Sequence, residues 1–231
     1  MEIFNEQAVA RTTKLLILDF DGTIADTFDT IFDAANLTMD EYGYPRRTRE
    51  DVRLGIGYSS MYLIKNCMPQ SLSSDELLAD RVHESYKRHY ANTCLTCKEC
   101  YDGMLESLLA LKEKGYTLAV LSNKLDRFVQ SMVRAVLPEG LASMIMGKTE
   151  LPAKPDPAAP LLIASELGFS PEESAFIGDS EVDVQTGLNA GMLAVGCSWG
   201  YRSRQLLVDT GAHAVLDEPR ELLKLFLKEG K

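Results

Sequence analysis

The chain has no apolar run long enough to span a bilayer, which leaves no candidate transmembrane helix. Its start, MEIFNEQAVARTTK, lacks a basic segment followed by an apolar block, so no secretory signal is expected. Cysteine is sparse and odd in number, five in all, and with no export signal reduced thiols in the cytoplasm are the expectation. Basic charge is also short. Lys and Arg number 24 against 34 Asp and Glu, a formal net charge of -10 spread along the chain, which excludes a general nucleic-acid binder. There is no internal repeat, low-complexity tract or long charge block. None of these absences excludes a small phosphorylated substrate, because a local cluster of Lys and metal overrides the global sign.

What is present is enough chain, 231 residues, for one large domain or a core with a smaller insertion. It can bury a core without disulfides or structural metal. Two textures alternate along it. KLLILD (14–19) reads as a buried strand running into acidic and glycine residues. From about 26 to 97 the texture is helical. ADTFDTIFDAANLTMDEYG spaces Phe28, Ile31, Phe32, Ala35 and Met39 by three and four. SSMYLIKNCM and SSDELLADRVHESYKRHYAN continue it, the latter with Ser74 as the expected N-cap. From about 98, strands (YTLAVLS, ASMIMG, SAFIGD, MLAVGCSWG, AHAVLD) alternate with helices, ending in PRELLKLFLKEG. That alternation predicts an α/β fold, a Rossmann-like doubly wound parallel sheet core with an inserted all-helical piece.

Four clusters of chemistry fall at expected strand ends, where open α/β sheets place their ligand crevice. In Asp19-Phe20-Asp21-Gly22-Thr23 the two aspartates, two residues apart on an extended chain, face one side. Carboxylates so close repel unless a cation or a shared proton relieves them. Gly22 permits the turn and offers an N–H to an anion, and Thr23 adds a hydroxyl. In Leu121-Ser122-Asn123-Lys124, Ser122 ends a strand, where its hydroxyl and a nearby N–H can hold a phosphate oxygen. In Lys154-Pro155-Asp156-Pro157 the prolines stiffen the loop that aims Lys154, and a lysine among carboxylates neutralises a transferring phosphoryl group. In Gly178-Asp179-Ser180-Glu181-Val182-Asp183, Asp179 points into the crevice and Asp183 follows one helical turn later. Each cluster alone has an ordinary reading as a cap, a turn or a solvated loop. Together, in this order, they describe a magnesium phosphate site.

These four runs, DFDGT, LSNK, KPDP and GDSEVD, resemble the four signatures of the haloacid dehalogenase superfamily, and the resemblance covers the chain from residue 14 on. It implies an α/β core of residues 1–25 and 98–231 and a helical C1-type cap of residues 26–97, hinged near Ala25–Thr27 and Thr96–Asp102. It implies Asp19 as nucleophile, Asp21 as general acid and base, and Ser122 and Lys154 as further catalytic groups. Phosphate contacts fall to Gly22, Thr23, Ser122, Asn123 and Lys154. Mg²⁺ is held by Asp19, the carbonyl of Asp21, and Asp179, with Asp183 in support. Asp21 points to phosphate esters or anhydrides, because family members that expel no alkoxide do not carry it.

SWGYRSRQLLVDTGAHAVLDEPRELL and the cap segment Gly55-Ile56-Gly57-Tyr58-Ser59 are similar to the phosphoglycolate phosphatase-like branch, in which Gly55, Gly57 and Tyr58 form the cap substrate loop. The resemblance therefore implies a Mg-dependent phosphatase acting on a small phosphorylated metabolite, with 2-phosphoglycolate as the best match. Neither nucleic acid nor membrane is an expected partner, and the state is monomer or homodimer. A β-phosphoglucomutase-like isomerase and an inorganic pyrophosphatase share the motifs and stay open, while a non-catalytic interaction module is disfavoured by the intact charged set. Cys94, Cys97 and Cys100, with His89 upstream, have a spacing that zinc could use, but they lack two separated knuckles, so chance thiols are the expectation. Trp199 and Tyr201 are expected to pack rather than to touch substrate.

Overall fold

The structure is a computed structural model that describes residues 1–10, 12–97 and 99–227. Lys98, at the expected domain boundary, and residues 228–231, which close the last expected helix, lie outside the described residues. The strands are β1 (Glu2–Ile3), β2 (Leu15–Leu18), β3 (Thr117–Leu125), β4 (Met144–Lys148), β5 (Ser174–Gly178), β6 (Leu193–Cys197) and β7 (Ala214–Leu216). They form one sheet in the order β1-β7-β6-β5-β2-β3-β4. All neighbours run parallel except β1, which pairs antiparallel with β7. The antiparallel edge strand departs from the all-parallel expectation. Two residues carry too little pattern to announce themselves, and their partner lies at the far end of the chain.

β2 sits between β3 and β5, and its four residues are at most 1% exposed. Its side chains alternate between two cores, as a pleated strand requires. Leu16 and Leu18 face one with Val120 and Ile177, while Leu15 and Ile17 face the other with Leu121 and Phe176. Each such buried side chain contributes about 2 kcal/mol relative to exposure. Helices cover both faces: α6 (Met104–Glu113) and α7 (Asp126–Val136) pack on the first core, α8 (Ala158–Glu166) on the second, and α9 (Glu181–Asn189) on β5 and β6. The fold is a doubly wound α/β sheet. Short α1 (Glu6–Val9), α10 (Arg204–Asp209) and α11 (Glu221–Phe226) complete the set.

Four helices intervene between β2 and α6: α2 (Phe28–Glu41), α3 (Arg49–Gly55), α4 (Ser60–Cys67) and α5 (Glu76–Thr93). α2 and α5 form the main helix pair, α5 burying Ala79, Val82, Tyr86 and Tyr90 along one stripe. The N-cap of α5 is Asp75, whose carboxylate accepts from the Leu78 N–H at 3.0 Å, and not the expected Ser74. The shift by one residue puts the carboxylate, a stronger acceptor than a hydroxyl, on the positive helix end. No helix among the described residues is long and apolar enough to cross a membrane.

Candidate active site

The carboxyl ends of β2, β3 and β5 converge, and the four sequence clusters meet there. Asp19 follows β2 directly, its N–H donating to Ile177 O at 2.9 Å, which locks the turn to the neighbouring strand. Gly22 then turns the chain at φ +85, a conformation that L side chains rarely adopt. A Cβ there would fall 2.5 Å from Asp179 Oδ2. The expected anion donor, the Gly22 N–H, is spent inside the turn on Ala25 O at 2.9 Å. The Thr23 hydroxyl likewise turns inward and donates to Asp179 Oδ1 at 3.3 Å.

Lys154 is the hub. Its buried ammonium lies 2.7 Å from Asp19 Oδ1 and 2.6 Å from Asp183 Oδ1. Asp183 is the third residue of α9 and closes a capping box. Its Oδ2 accepts from the Ser180 hydroxyl at 2.6 Å and the Ser180 N–H at 3.1 Å. One carboxylate thus starts the helix and fixes the lysine. Asp179 accepts from the Tyr201 N–H at 2.7 Å.

Asp21 faces away from this hub. It accepts from the Thr27 hydroxyl, lies 2.8 Å from the Lys124 ammonium, and accepts from the Ser122 hydroxyl at 3.4 Å. Ser122, Asn123 and Lys124 lie within β3, which runs to Leu125 with a break in its pairing to β4 after Leu121, rather than past a strand that ends at Ser122. The break re-aims these side chains toward the crevice. The Asn123 amide is used as a bracket. It donates to Gly57 O at 3.0 Å and Lys154 O at 3.1 Å and accepts from the Lys154 N–H at 2.8 Å.

The electrostatics are those of a crowded acid site. Burial pushes the Asp19 carboxyl up to about 7; Lys154 pulls against that rise, and Asp183 and Asp21 add to it. Burial, with Asp183 and Asp19 beside it, also holds the Asp179 carboxyl well above the ordinary range. For Lys154 burial alone favours the neutral amine, but Asp183 and Asp19 outweigh it and keep the ammonium above its usual value. Four carboxylates thus face two ammonium groups, Lys154 and Lys124, an imbalance that one divalent cation would cancel. Asp19, Asp179 and Asp183 each present a carboxylate oxygen within 4.8 Å of the others, the one His/Cys/Asp/Glu group of this kind among the described residues. Buried, hard oxygen donors of this kind suit Mg²⁺. The glycines keep the space open, since a Cβ on Gly200 would lie 2.3 Å from Asp179 Cβ.

Across the crevice, Gly55 ends α3 against Leu63, and Gly57, at φ +99, lies close to Ser180. Half-buried Tyr58 donates to Glu181 Oε1 at 3.0 Å. These residues, with Ile31, Leu63, Tyr86 and Tyr90, roof a cavity of about 50 Å³ whose floor includes Asp19, Asp21, Ser122 and Lys124. Trp199 and Tyr201 pack beside the site as expected, while Arg202 joins it unannounced by the sequence. Trp199 Nε1 donates to Thr23 O at 3.0 Å, and the Tyr201 hydroxyl accepts from the Thr27 N–H at 2.9 Å, so both rings brace the turn that follows Asp19. Arg202 pairs with Glu181 and donates to the carbonyls of Arg53, Leu54 and Ile56 at 2.7–3.1 Å, joining the core to the end of α3. Only the WGY run hinted at the rings, and nothing local marked Arg202. The cysteine cluster does not converge. Cys94, Cys97 and Cys100 face the carbonyls of Ala91, Asp26 and Val136, and His89 meets Glu41 at 2.8 Å.

Comparison with known proteins points the same way. The family model for haloacid dehalogenase-like hydrolases matches residues 16–197. A phosphoglycolate phosphatase of Pseudomonas syringae pv. tomato is 30% identical over 227 residues, covering 96% of this chain and 83% of the relative. The phosphoglycolate phosphatase of Haemophilus influenzae is 30% identical over 218 residues, 92% of this chain and 97% of the relative. Among solved structures, a predicted phosphoglycolate phosphatase from Haemophilus somnus superposes with a TM-score of 0.85 at 25% identity, covering 94% of this chain and 99% of that one.

Proposed function

The chain belongs to the haloacid dehalogenase-like hydrolases, and on that premise we propose that it is a Mg²⁺-dependent phosphatase whose substrate is 2-phosphoglycolate. The observation that carries the reading is the Lys154–Asp19 pair at 2.7 Å inside a buried carboxylate cluster. A carboxylate so held is aimed, and it keeps its charge only where cations surround it. The small cavity admits a short ester, and the relatives named above are phosphoglycolate phosphatases. The cytoplasm, where the five thiols stay reduced, is the proposed compartment.

In the proposed mechanism Asp19 attacks phosphorus, the P–O bond to the leaving group breaks, and an aspartyl phosphate forms. Asp21 gives its proton to the departing oxygen and later takes one from the water that hydrolyses the acyl phosphate and restores Asp19. Lys154 and the Ser122 hydroxyl hold phosphoryl oxygens, where the transition-state charge sits. Asp19, Asp179 and the Asp21 carbonyl would hold Mg²⁺, which would supply positive charge to offset repulsion between the phosphate and the Asp19 carboxylate. Asp183 fixes Lys154, and Thr27 and Lys124 fix Asp21. The helices α2–α5 serve as a cap that excludes bulk water and frames the leaving group.

A panel of phosphate monoesters with pyrophosphate and β-glucose 1-phosphate, assayed with Mg²⁺ and with chelator, tests the proposal. The wild type is expected to turn over 2-phosphoglycolate fastest and only with metal, and Asp19→Asn to lose at least about 10⁴-fold. Undiminished turnover by Asp19→Asn removes it as nucleophile. Glucose 6-phosphate as the main product establishes the isomerase instead.

A further inference from the structure

Lys124 has been given only a supporting part, yet it is placed to do more. Among the described residues lining the cavity it is the single basic one, set among Ile31, Leu63, Tyr86 and Phe128. Its side chain is 10% exposed. The ammonium lies 2.8 Å from Asp21 Oδ1, donates to the Tyr90 hydroxyl, and stands 4.3 Å from the centroid of the Tyr90 ring. Its remaining contact is the Met132 thioether at 3.8 Å, a weak acceptor. An ammonium has three strong donors, and this one has a single charged partner and a largely apolar surround. A pocket of this kind orients its ligand through the few polar groups it offers.

The position is also a ruler. A general acid works within hydrogen-bond reach of the leaving oxygen, about 3 Å. Lys124 lies 2.8 Å beyond Asp21. Where that same Asp21 carboxylate oxygen serves as the acid, the ammonium stands at most about 6 Å from the leaving oxygen, and an anion it grips at about 2.8 Å lies within about 9 Å of it. A carboxylate on the carbon that bears the ester oxygen meets this spacing. The cavity of about 50 Å³ leaves little room for a longer leaving group.

We propose that Lys124 receives a carboxylate on the leaving group, so that the site selects phosphate esters of short 2-hydroxy acids. The inference rests on the hydrolase reading and narrows it. 2-Phosphoglycolate is the simplest ester of the class, and 2-phospholactate is the next.

The test compares kcat/KM for 2-phosphoglycolate, 3-phosphooxypropanoate and ethyl phosphate in the metal-loaded wild type, Lys124→Met and Lys124→Arg. The wild type is expected to prefer 2-phosphoglycolate over ethyl phosphate by roughly 100-fold or more, with 3-phosphooxypropanoate between them. In Lys124→Met both esters slow, because Asp21 loses a partner, but their ratio collapses to within about threefold of unity, mostly through KM for the carboxylate ester. Lys124→Arg is expected to restore a preference of at least about tenfold. Equal losses on both esters in Lys124→Met, or a wild type indifferent to the carboxylate or to its spacing, overturn the assignment while the hydrolase reading stands. The wild-type series alone decides the point if Lys124→Met does not fold. No turnover of any ester overturns the hydrolase reading and this inference with it.

Discussion

The two walls of the crevice differ in kind. The sheet side supplies charge: Asp19 and Asp21 at the cavity, with Lys154, Asp179 and Asp183 packed behind them, and Lys124 at the far end. The helical side, from α2 to α5, lines the same cavity with Ile31, Leu63, Tyr58, Tyr86, Tyr90, two serines and the Gly55–Gly57 backbone, and with no charged side chain. One wall carries the groups that a phosphoryl transfer needs, and the other carries shape. The division also explains why the sheet side is so constrained. Each of its carboxylates is buried against another charge, so each has a narrow range of tolerable neighbours.

If that division is real, changes on the two walls should fail differently. The largest effect is expected from Lys154→Met. It leaves Asp19 and Asp183 buried without their shared cation, and should lower kcat by about 10³-fold and stability by about 3 kcal/mol. Steady-state kinetics and urea melts check it, and a variant that keeps kcat breaks the comparison at its strongest point.

A mid-sized effect concerns charge without metal. The Asp19 carboxyl titrates at about 7 in the folded chain because of burial, against about 3.9 when unfolded. The folded state thus binds this proton more tightly, so the stability linked to it is full below about pH 4 and lost as pH rises through about 7. In chelator, Asp19→Asn should therefore be more stable than the wild type at pH 7.5, by up to about 4 kcal/mol, with the gap closing as pH falls toward about 4. Added Mg²⁺ should stabilise the wild type and remove most of the gap. Melting curves across pH test this, and a gap that widens toward low pH contradicts it.

The smallest effect sharpens the other side. Arg202 holds three carbonyls at the end of α3 with a planar fork that lysine cannot copy. Arg202→Lys should raise KM about three- to tenfold and leave kcat within about twofold, because it loosens the roof rather than the chemistry. A fall in kcat with KM unchanged would mean that the two walls are not separable in this way.

The same contrast decided what could be read from the residues. The sheet-side groups were legible because each sits in a short run beside an apolar strand, where local order and strand-end position already imply convergence. Asp19, Lys154, Asp179 and Asp183 do meet. The orientations were less legible. Gly22, Thr23 and Asn123 are expected at the phosphate, yet the Gly22 N–H is engaged within its own turn on Ala25, and the Thr23 hydroxyl and Asn123 amide on Asp179, Gly57 and Lys154, partners that tertiary packing supplies. α3 was missed although Thr48 and Asp51 form a capping box three residues apart, a local signal that was available. β1 and the Arg202 contacts had no such signal. Their partners lie more than a hundred residues away, and neither two strand residues nor one arginine shows a period. Lys124 stood in a recognised run, but its meaning depends on Tyr90 and Asp21 approaching from two other segments.

The central claim is that the charged wall forms a covalent phosphoryl intermediate on Asp19. Acid quench during turnover of 2-phosphoglycolate with Mg²⁺, followed by mass spectrometry of the protein and its peptides, tests it most directly. The account predicts one added phosphoryl group on the peptide that carries Asp19, absent in chelator and in Asp19→Asn. Full turnover with no adduct at any quench time, or an adduct on another residue, would contradict it.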